Sequence, residues 1–249
     1  MIGLRNLYRV FNETRKAARQ EATLAVIGDS PRAAELAATL GAQRTLSGAE
    51  IILSVSGESA TLSGQAVDEP GDLPLPPGRA SGVEELAHRV VRALDDDFLV
   101  PLAKGYPAFR RAVCEAIIHK NARQNAVVGA LPIPGADMPV MTANQGRMVL
   151  YIAAAYGEEL SIDRARELLG VLAAGFGLRA LARQVGKLIP VAGWAAGAAI
   201  GYAGTLAMGR ATMLYFERGK QEIGAKEMAE IRERAAAEAK TFVSRLRRR

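Results

Sequence analysis

The chain has 249 residues and a formal net charge of +6, and 49% of its residues are hydrophobic. This length suits one large domain or two small ones, and the single cysteine excludes an internal disulfide and any cysteine-based metal cluster. The charge is uneven, because residues 1–99 hold 10 Lys or Arg and 14 Asp or Glu, whereas residues 100–249 hold 22 and 12.

Residues 1–22 are predicted to form an amphipathic N-terminal helix. Its apolar side carries Leu4, Leu7, Tyr8 and Phe11, and basic residues surround that side. Such a helix either lies at a membrane interface or packs on its own domain. The first 20 residues hold no apolar stretch long enough for a secretory signal, so secretion is not expected.

Residues 23–98 are predicted to form a small α/β unit. Thr23–Ile27 and Ile51–Val55 are apolar strand candidates. Between them, Pro31–Leu40 has helical spacing, and Gly41 is placed to end that helix. Strand, helix and strand over this length indicate a parallel sheet.

The second half of this unit is predicted to be loop and then helix. Residues 57–82 are rich in glycine and proline, which disfavour regular structure. Val83–Leu94 has an apolar helical face and is followed by Asp95, Asp96 and Asp97. Three adjacent carboxylates do not converge on a cation by themselves, so a solvated turn is expected there.

Residues 99–219 are predicted to form a mainly helical, glycine-rich apolar domain. Leu188–Gly209 holds 22 residues without a charge. As a helix this run would be about 33 Å long, enough to cross the roughly 30 Å hydrocarbon core of a bilayer. The other predicted helices are Pro107–Gln124, Met148–Tyr156, Ile162–Gly177 and Leu178–Leu188.

Small residues recur at every fourth position of the uncharged run. Such a stripe lets another helix, from the same chain or from a second copy, approach closely. The predicted helix-packing residues are Gly193, Gly197, Gly201, Thr205 and Gly209.

Residues 220–249 are predicted to form a basic amphipathic C-terminal helix, mainly over Lys220–Leu246. The basic charge lies beside the apolar half of the chain, which favours anionic lipid. Nucleic acid is an unlikely partner, because the tail carries no recognised reader motif and no aromatic residue beyond Phe242. The predicted fold class is therefore α+β overall.

The helical half carries a run of residues at fixed spacings. From Asn125 it reads Asn-Ala-Val-Val-Gly-Ala-Leu-Pro-Ile-Pro-Gly-Ala-Asp-Met-Pro, then Gln145-Gly-Arg-Met, then Ile152-Ala-Ala-Ala-Tyr-Gly. This pattern resembles the uncharacterised helical domain that follows Era-type GTPase domains and occurs in YcjF-like inner-membrane proteins. The resemblance covers roughly residues 107–216. It implies a membrane-associated helical module and supplies no catalytic residues.

The resemblance raises the question of a nucleotide site in the first half. Gly28 follows the first strand candidate, as the first glycine of a phosphate-binding loop would. The lysine and hydroxyl positions of that motif are Ala34 and Glu35, so phosphate and Mg²⁺ lose their ligands. We interpret this half as a degenerate nucleotide-binding-like unit that does not hydrolyse GTP, without a cofactor, a metal site or catalytic residues.

Asp137 is the one charged residue between Arg123 and Arg147. An acid in apolar surroundings is paired or protonated. Asp137 is either a buried carboxylate that binds a cation or relays a proton, or a turn residue that caps the next helix. Arg147 is its candidate ion-pair partner.

These patterns predict a membrane-associated, non-catalytic scaffold that partners membrane lipid and a GTPase or a second copy of itself. It is expected at the cytoplasmic (inner) membrane with its N-terminal half in the cytoplasm. The alternative is a soluble helical-core protein with an unrecognised nucleotide-linked enzymatic site.

Overall fold

A computed structural model describes residue 12 and residues 14–75, 81–131, 137–158 and 193–246. These residues divide into two compact units. The α/β unit holds residues 15–116 with 154–158, and the helical unit holds residues 117–153 and 193–246. The predicted α+β class is confirmed, because a small sheet precedes a mainly helical chain.

The sheet of the α/β unit has four strands in the order of the sequence. The first two strands pair in parallel, as predicted, and the later neighbours pair antiparallel. The loop predicted over residues 57–82 is wrong in part, because its glycines and prolines mark the turns of a meander of short strands. The strands are β1 (Leu24–Ile27), β2 (Ile51–Ser56), β3 (Ser59–Ser63) and β4 (Gly71–Pro74).

Helix α1 (Pro31–Leu40) connects β1 to β2 and has the bounds that the sequence predicts. The Ser30 hydroxyl accepts a hydrogen bond from the Ala33 amide at 3.2 Å, which caps the first turn. Gly41 ends the helix with a left-handed φ of 70°, a conformation that glycine adopts without steric cost.

Helices α2 (Ser81–Ala93) and α3 (Asp96–Gly105) complete the part of the α/β unit that precedes the long helices. The predicted solvated turn at Asp95–Asp97 is in fact the start of α3. The Asp95 carboxylate accepts a hydrogen bond from the Asp97 amide at 2.8 Å and so caps that helix.

The long helices differ from the predicted ones in their ends. Two of them start or stop beyond their predicted limits: the first continues past Gln124, and the second begins well before Met148. Residues 194–209 of the uncharged run lie in a helix that continues past Arg210. These helices are α4 (Pro107–Ala130), α5 (Asp137–Ala155), α6 (Trp194–Glu217) and α7 (Ala225–Leu246). Residues 1–11 and the predicted helices Ile162–Gly177 and Leu178–Leu188 lie outside the described residues.

Helices α6 and α7 form an antiparallel hairpin in the helical unit. The Tyr202 and Phe242 rings stack with their centroids 4.2 Å apart, and Arg210 pairs with Glu238 at 2.9 Å. The order of these contacts shows that α7 runs back along α6. At the turn, Arg218 donates two hydrogen bonds to the Glu227 carboxylate, at 2.7 and 2.5 Å.

Candidate functional site

The glycine-striped face of α6 lies against α4 of the same chain. A β-carbon at Gly197 would overlap the carbonyl oxygen of Gly129, and one at Gly129 would overlap the carbonyl oxygen of Gly197. A β-carbon at Gly201 would likewise overlap the carbonyl oxygen of Asn125. The helices therefore cross with their backbones in contact, which only residues without a side chain permit.

The stripe continues to Gly209, where a β-carbon would lie 2.5 Å from Cγ1 of Ile118. Its predicted first member, Gly193, is different. Gly193 precedes the helix with a φ of 82°, and no atom of a described residue lies within 4 Å of the position its β-carbon would take. Helix α6 begins at Trp194, and its close crossing with α4 begins at Gly197, so the predicted packing role of Gly193 stays a prediction.

The remaining member of the stripe, Thr205, belongs to a buried polar network. Its hydroxyl accepts a hydrogen bond from the Asn125 side chain at 2.8 Å and donates one to the Gly201 carbonyl at 2.9 Å. Asn144 of α5 donates to the Asn125 amide oxygen at 2.9 Å, and Gln145 approaches the Thr205 hydroxyl at 3.4 Å. Amide and hydroxyl groups thus join three helices, with Asn125 and Thr205 fully buried and Asn144 and Gln145 half-buried.

Sequence reasoning missed the amide members of this network. Asn125 and Thr205 are both fully buried, and they are 80 positions apart in the chain. Asn121 and Asn125 lie four residues apart on α4, and both are buried. Amides repeated at helical spacing in an apolar segment are the signal that could have pointed to them.

The structure does not bear out Arg147 as a buried polar residue. Its side chain is exposed, its guanidinium carbon lies 5.2 Å from the centroid of the Tyr151 ring, and it donates to the Tyr151 hydroxyl at 3.0 Å. A position one helical turn before Tyr151 on the outer face of α5 explains this placement. Asp137 is the first residue of α5, and its side chain lies outside the described part of the structure.

A second polar cluster joins α4, α6 and α7. His119 Nδ1 lies 3.6 Å from a Glu238 oxygen and 3.4 Å from the Tyr202 hydroxyl. The Glu238 carboxylate also pairs with Arg210. Burial, and next the charge of Glu238, raise the pKa of Tyr202 above its ordinary value. The hydroxyl therefore stays neutral at physiological pH.

The turn after β1 is too short for a phosphate-binding loop. Only Gly28, Asp29 and Ser30 separate β1 from α1. A phosphate-binding loop has its lysine six positions after its first glycine, where the following helix starts. Here Ala34 and Glu35 lie within α1. The Ala33 amide already donates a hydrogen bond to the Ser30 hydroxyl and so is not free to bind phosphate.

Two further features were sought within the described residues. No group of three or more His, Cys, Asp or Glu side chains there is placed to hold a metal ion. Among the same residues, none of the helices combines the length and apolar character needed to cross a bilayer.

The comparisons with known proteins give one match. No curated protein and no solved structure matches the chain. The family model of the domain of unknown function DUF697 matches residues 96–241, which is more than half of the sequence. The matched segment contains the α4–α6 glycine contact, the amide network and the His119 cluster. The chain therefore belongs to the DUF697 family, whose members share a helical domain without an assigned activity.

Proposed function

We propose that this protein is a non-catalytic helical scaffold that associates with the cytoplasmic (inner) membrane and has its α/β unit in the cytoplasm. The observation that carries the proposal is the contact of α4 with α6. Gly129 and Gly197 meet there through their backbones, beside the network of Asn125 and Thr205. Helices in membranes associate through small residues and interhelical side-chain hydrogen bonds, because apolar burial alone does not drive them together.

The scaffold has a GTPase as its partner in this proposal. The helical domain resembles one that follows GTPase domains, while the turn Gly28–Ser30 lacks the length and the lysine of a phosphate loop. Nucleotide hydrolysis would then come from a second protein, and this chain would hold that protein at the membrane.

Cell fractionation tests the membrane part. In detergent-free buffer most of the full chain should sediment with the membrane fraction, while a cytosolic marker protein remains in the supernatant. Recovery of most of the chain with the cytosolic marker would contradict the proposal.

Calorimetry and crosslinking test the GTPase part. Titration of GTP and Mg²⁺ into the purified chain should give no binding heat, whereas binding would favour a nucleotide-linked enzyme instead. Crosslinking in intact membranes should join the chain to a protein that carries a complete phosphate-binding loop. Crosslinked partners that all lack this loop would remove the GTPase from the proposal and leave membrane association standing.

A further inference from the structure

We infer that the helical unit binds an anionic lipid surface with one particular end, the end at which Gly129 contacts Gly197. The inference rests on the proposed membrane association, and it adds the class of lipid and the orientation of docking.

Large apolar side chains are exposed around the Gly129–Gly197 contact. Val127 is 65% exposed and Leu131 is 51% exposed, and they flank Gly129 at the end of α4. Trp194 is 52% exposed and, with Ile200, flanks Gly197 at the start of α6. These side chains border a crossing at which the backbones are already in contact, so they point away from it.

Two neighbouring helices add to the same end. Val140 precedes Met141, whose Cε atom would lie 2.8 Å from a β-carbon on Gly201. Leu246 follows Phe242 by one helical turn, and Phe242 stacks on Tyr202. We name this surface the apolar end; it consists of Val127, Leu131, Val140, Trp194, Ile200 and Leu246. Among the described residues, Leu46 of the α/β unit is the one other large apolar side chain that is exposed.

Two arginines border the apolar end. Arg123 and Arg245 are exposed, and neither makes an ion pair with another described residue. The charge of each arginine lowers the pKa of Tyr202, although burial and the charge of Glu238 outweigh this effect. Arg245 is the neighbour of Leu246, and Arg123 lies two positions before the Asn125 carbonyl that contacts Gly201.

Acidic residues are concentrated at the opposite end of the α6–α7 hairpin. That end contains five glutamates, Glu217, Glu222, Glu227, Glu230 and Glu233, and equally many cations, Arg218, Lys220, Lys226, Arg232 and Arg234. Closer to the apolar end, Glu238 is held by Arg210. Asp137, the first residue of α5, lies three positions before Val140 in the sequence. The far end of the hairpin is therefore neutral overall, and the net positive charge of the hairpin lies toward the apolar end.

An apolar surface bordered by arginines fits a bilayer that carries negative headgroups. Exposed apolar patches of this kind are typical of interaction surfaces, and such side chains enter the boundary between headgroups and acyl chains. The arginines then meet the lipid phosphates. A cation near an anionic membrane strengthens binding by about 1 kcal/mol, which corresponds to roughly fivefold for each residue.

Vesicle flotation with the full chain tests the inference. The probes are vesicles of phosphatidylcholine alone and vesicles in which part of it is replaced by phosphatidylglycerol. We expect the wild type to bind the anionic vesicles more strongly. The double variant Arg123→Gln/Arg245→Gln should bind them about 30-fold more weakly, as two cations predict, and should bind neutral vesicles unchanged.

A matched variant controls for the loss of charge alone. Lys226→Gln/Arg234→Gln removes two exposed cations of α7 on the side of its acidic residues, and it should change anionic binding by less than about twofold. Circular dichroism confirms that each variant is folded. Equal weakening by both double variants, or equal wild-type binding to both kinds of vesicle, would overturn the inference and leave membrane association intact. Wild-type binding to neither kind of vesicle would overturn the proposed function itself.

Discussion

Gly129 and Gly197 each occupy the place where a side chain of the other residue would have to fit. The predicted stripe on α6 therefore has its partner within the same chain, on α4. Close contact at this crossing also brings the polar side chains of α4, α5 and α6 within hydrogen-bond distance of one another.

Gly197→Ala should destabilise the helical unit. The new methyl group would overlap the Gly129 carbonyl, which is backbone and cannot move alone, so overpacking of about 1–3 kcal/mol is expected. Chemical denaturation measures the change in the free energy of unfolding. Gly105→Ala is the control, because its β-carbon would lie 4.0 Å from the nearest atom, and it should be neutral or slightly stabilising. Equal effects of the two substitutions would contradict the close crossing.

Asn125→Ala should lower the free energy of unfolding by about 2 kcal/mol, because the buried Thr205 hydroxyl and the half-buried Asn144 amide each lose a partner. A double-mutant cycle with Thr205→Val should give a coupling energy of about 0.5–3 kcal/mol. Asn121→Ala serves as the control, since the Asn121 side chain donates a local hydrogen bond to the Ile117 carbonyl on the same helix. Strict additivity of Asn125→Ala and Thr205→Val would show that the network carries no coupling.

Tyr202→Phe should change how stability depends on alkaline pH. Burial, followed by Glu238, raises the pKa of Tyr202 above 10 in the folded chain. The neutral hydroxyl therefore contributes stability that is present below pH 10 and is lost as the pH rises through the folded pKa. Denaturation of both proteins between pH 8 and pH 11 should show a smaller loss for Tyr202→Phe, which keeps the stacking on Phe242. Parallel pH profiles would rule out this contribution.

Glu227→Gln should change how stability depends on acidic pH. The hydrogen bonds that Arg218 donates lower the pKa of Glu227 below 4.5. The positive charge of Arg218 lowers it further, by a smaller amount. The ion pair therefore contributes stability that is present above pH 4.5 and is lost as the pH falls through the folded pKa. The midpoints of thermal unfolding of the variant and the wild type should differ at pH 7 and approach each other as the pH falls toward 3. The exposed Glu230→Gln is the control and should follow the wild type at both pH values.

Local signals in the sequence predicted part of this fold well. The bounds of α1 follow from Pro31 and Gly41, which begin and end a helix for reasons that act within a few residues. The short strands β3 and β4 were missed because Gly57, Gly64 and Pro70 predict turns without showing how long the strands between them are. The helix predicted over Met148–Tyr156 begins earlier, at Asp137, and Pro139 is compatible with this start because the first turn of a helix tolerates proline.

The candidate site could be predicted only in part. A small-residue stripe is visible along one helix, but its partner is not, because Gly129 and Gly197 are brought together by tertiary packing. The same holds for Asn125 and Thr205. Arg147 lies on the exposed surface of α5, where it donates a hydrogen bond to the Tyr151 hydroxyl, and this contact was not predicted.

The tight turn of Gly28, Asp29 and Ser30 has a consequence for protein engineering. The substitutions Ala33→Gly, Ala34→Lys and Glu35→Thr would complete the nucleotide-binding motif in the sequence, but all three residues would still lie on a helix that has already started at Pro31. Side-chain replacement alone would thus leave phosphate unbound. Lengthening the connection before Ser30, so that several more peptide groups can curve around an anion, is the change that an engineered ATPase or GTPase version would require.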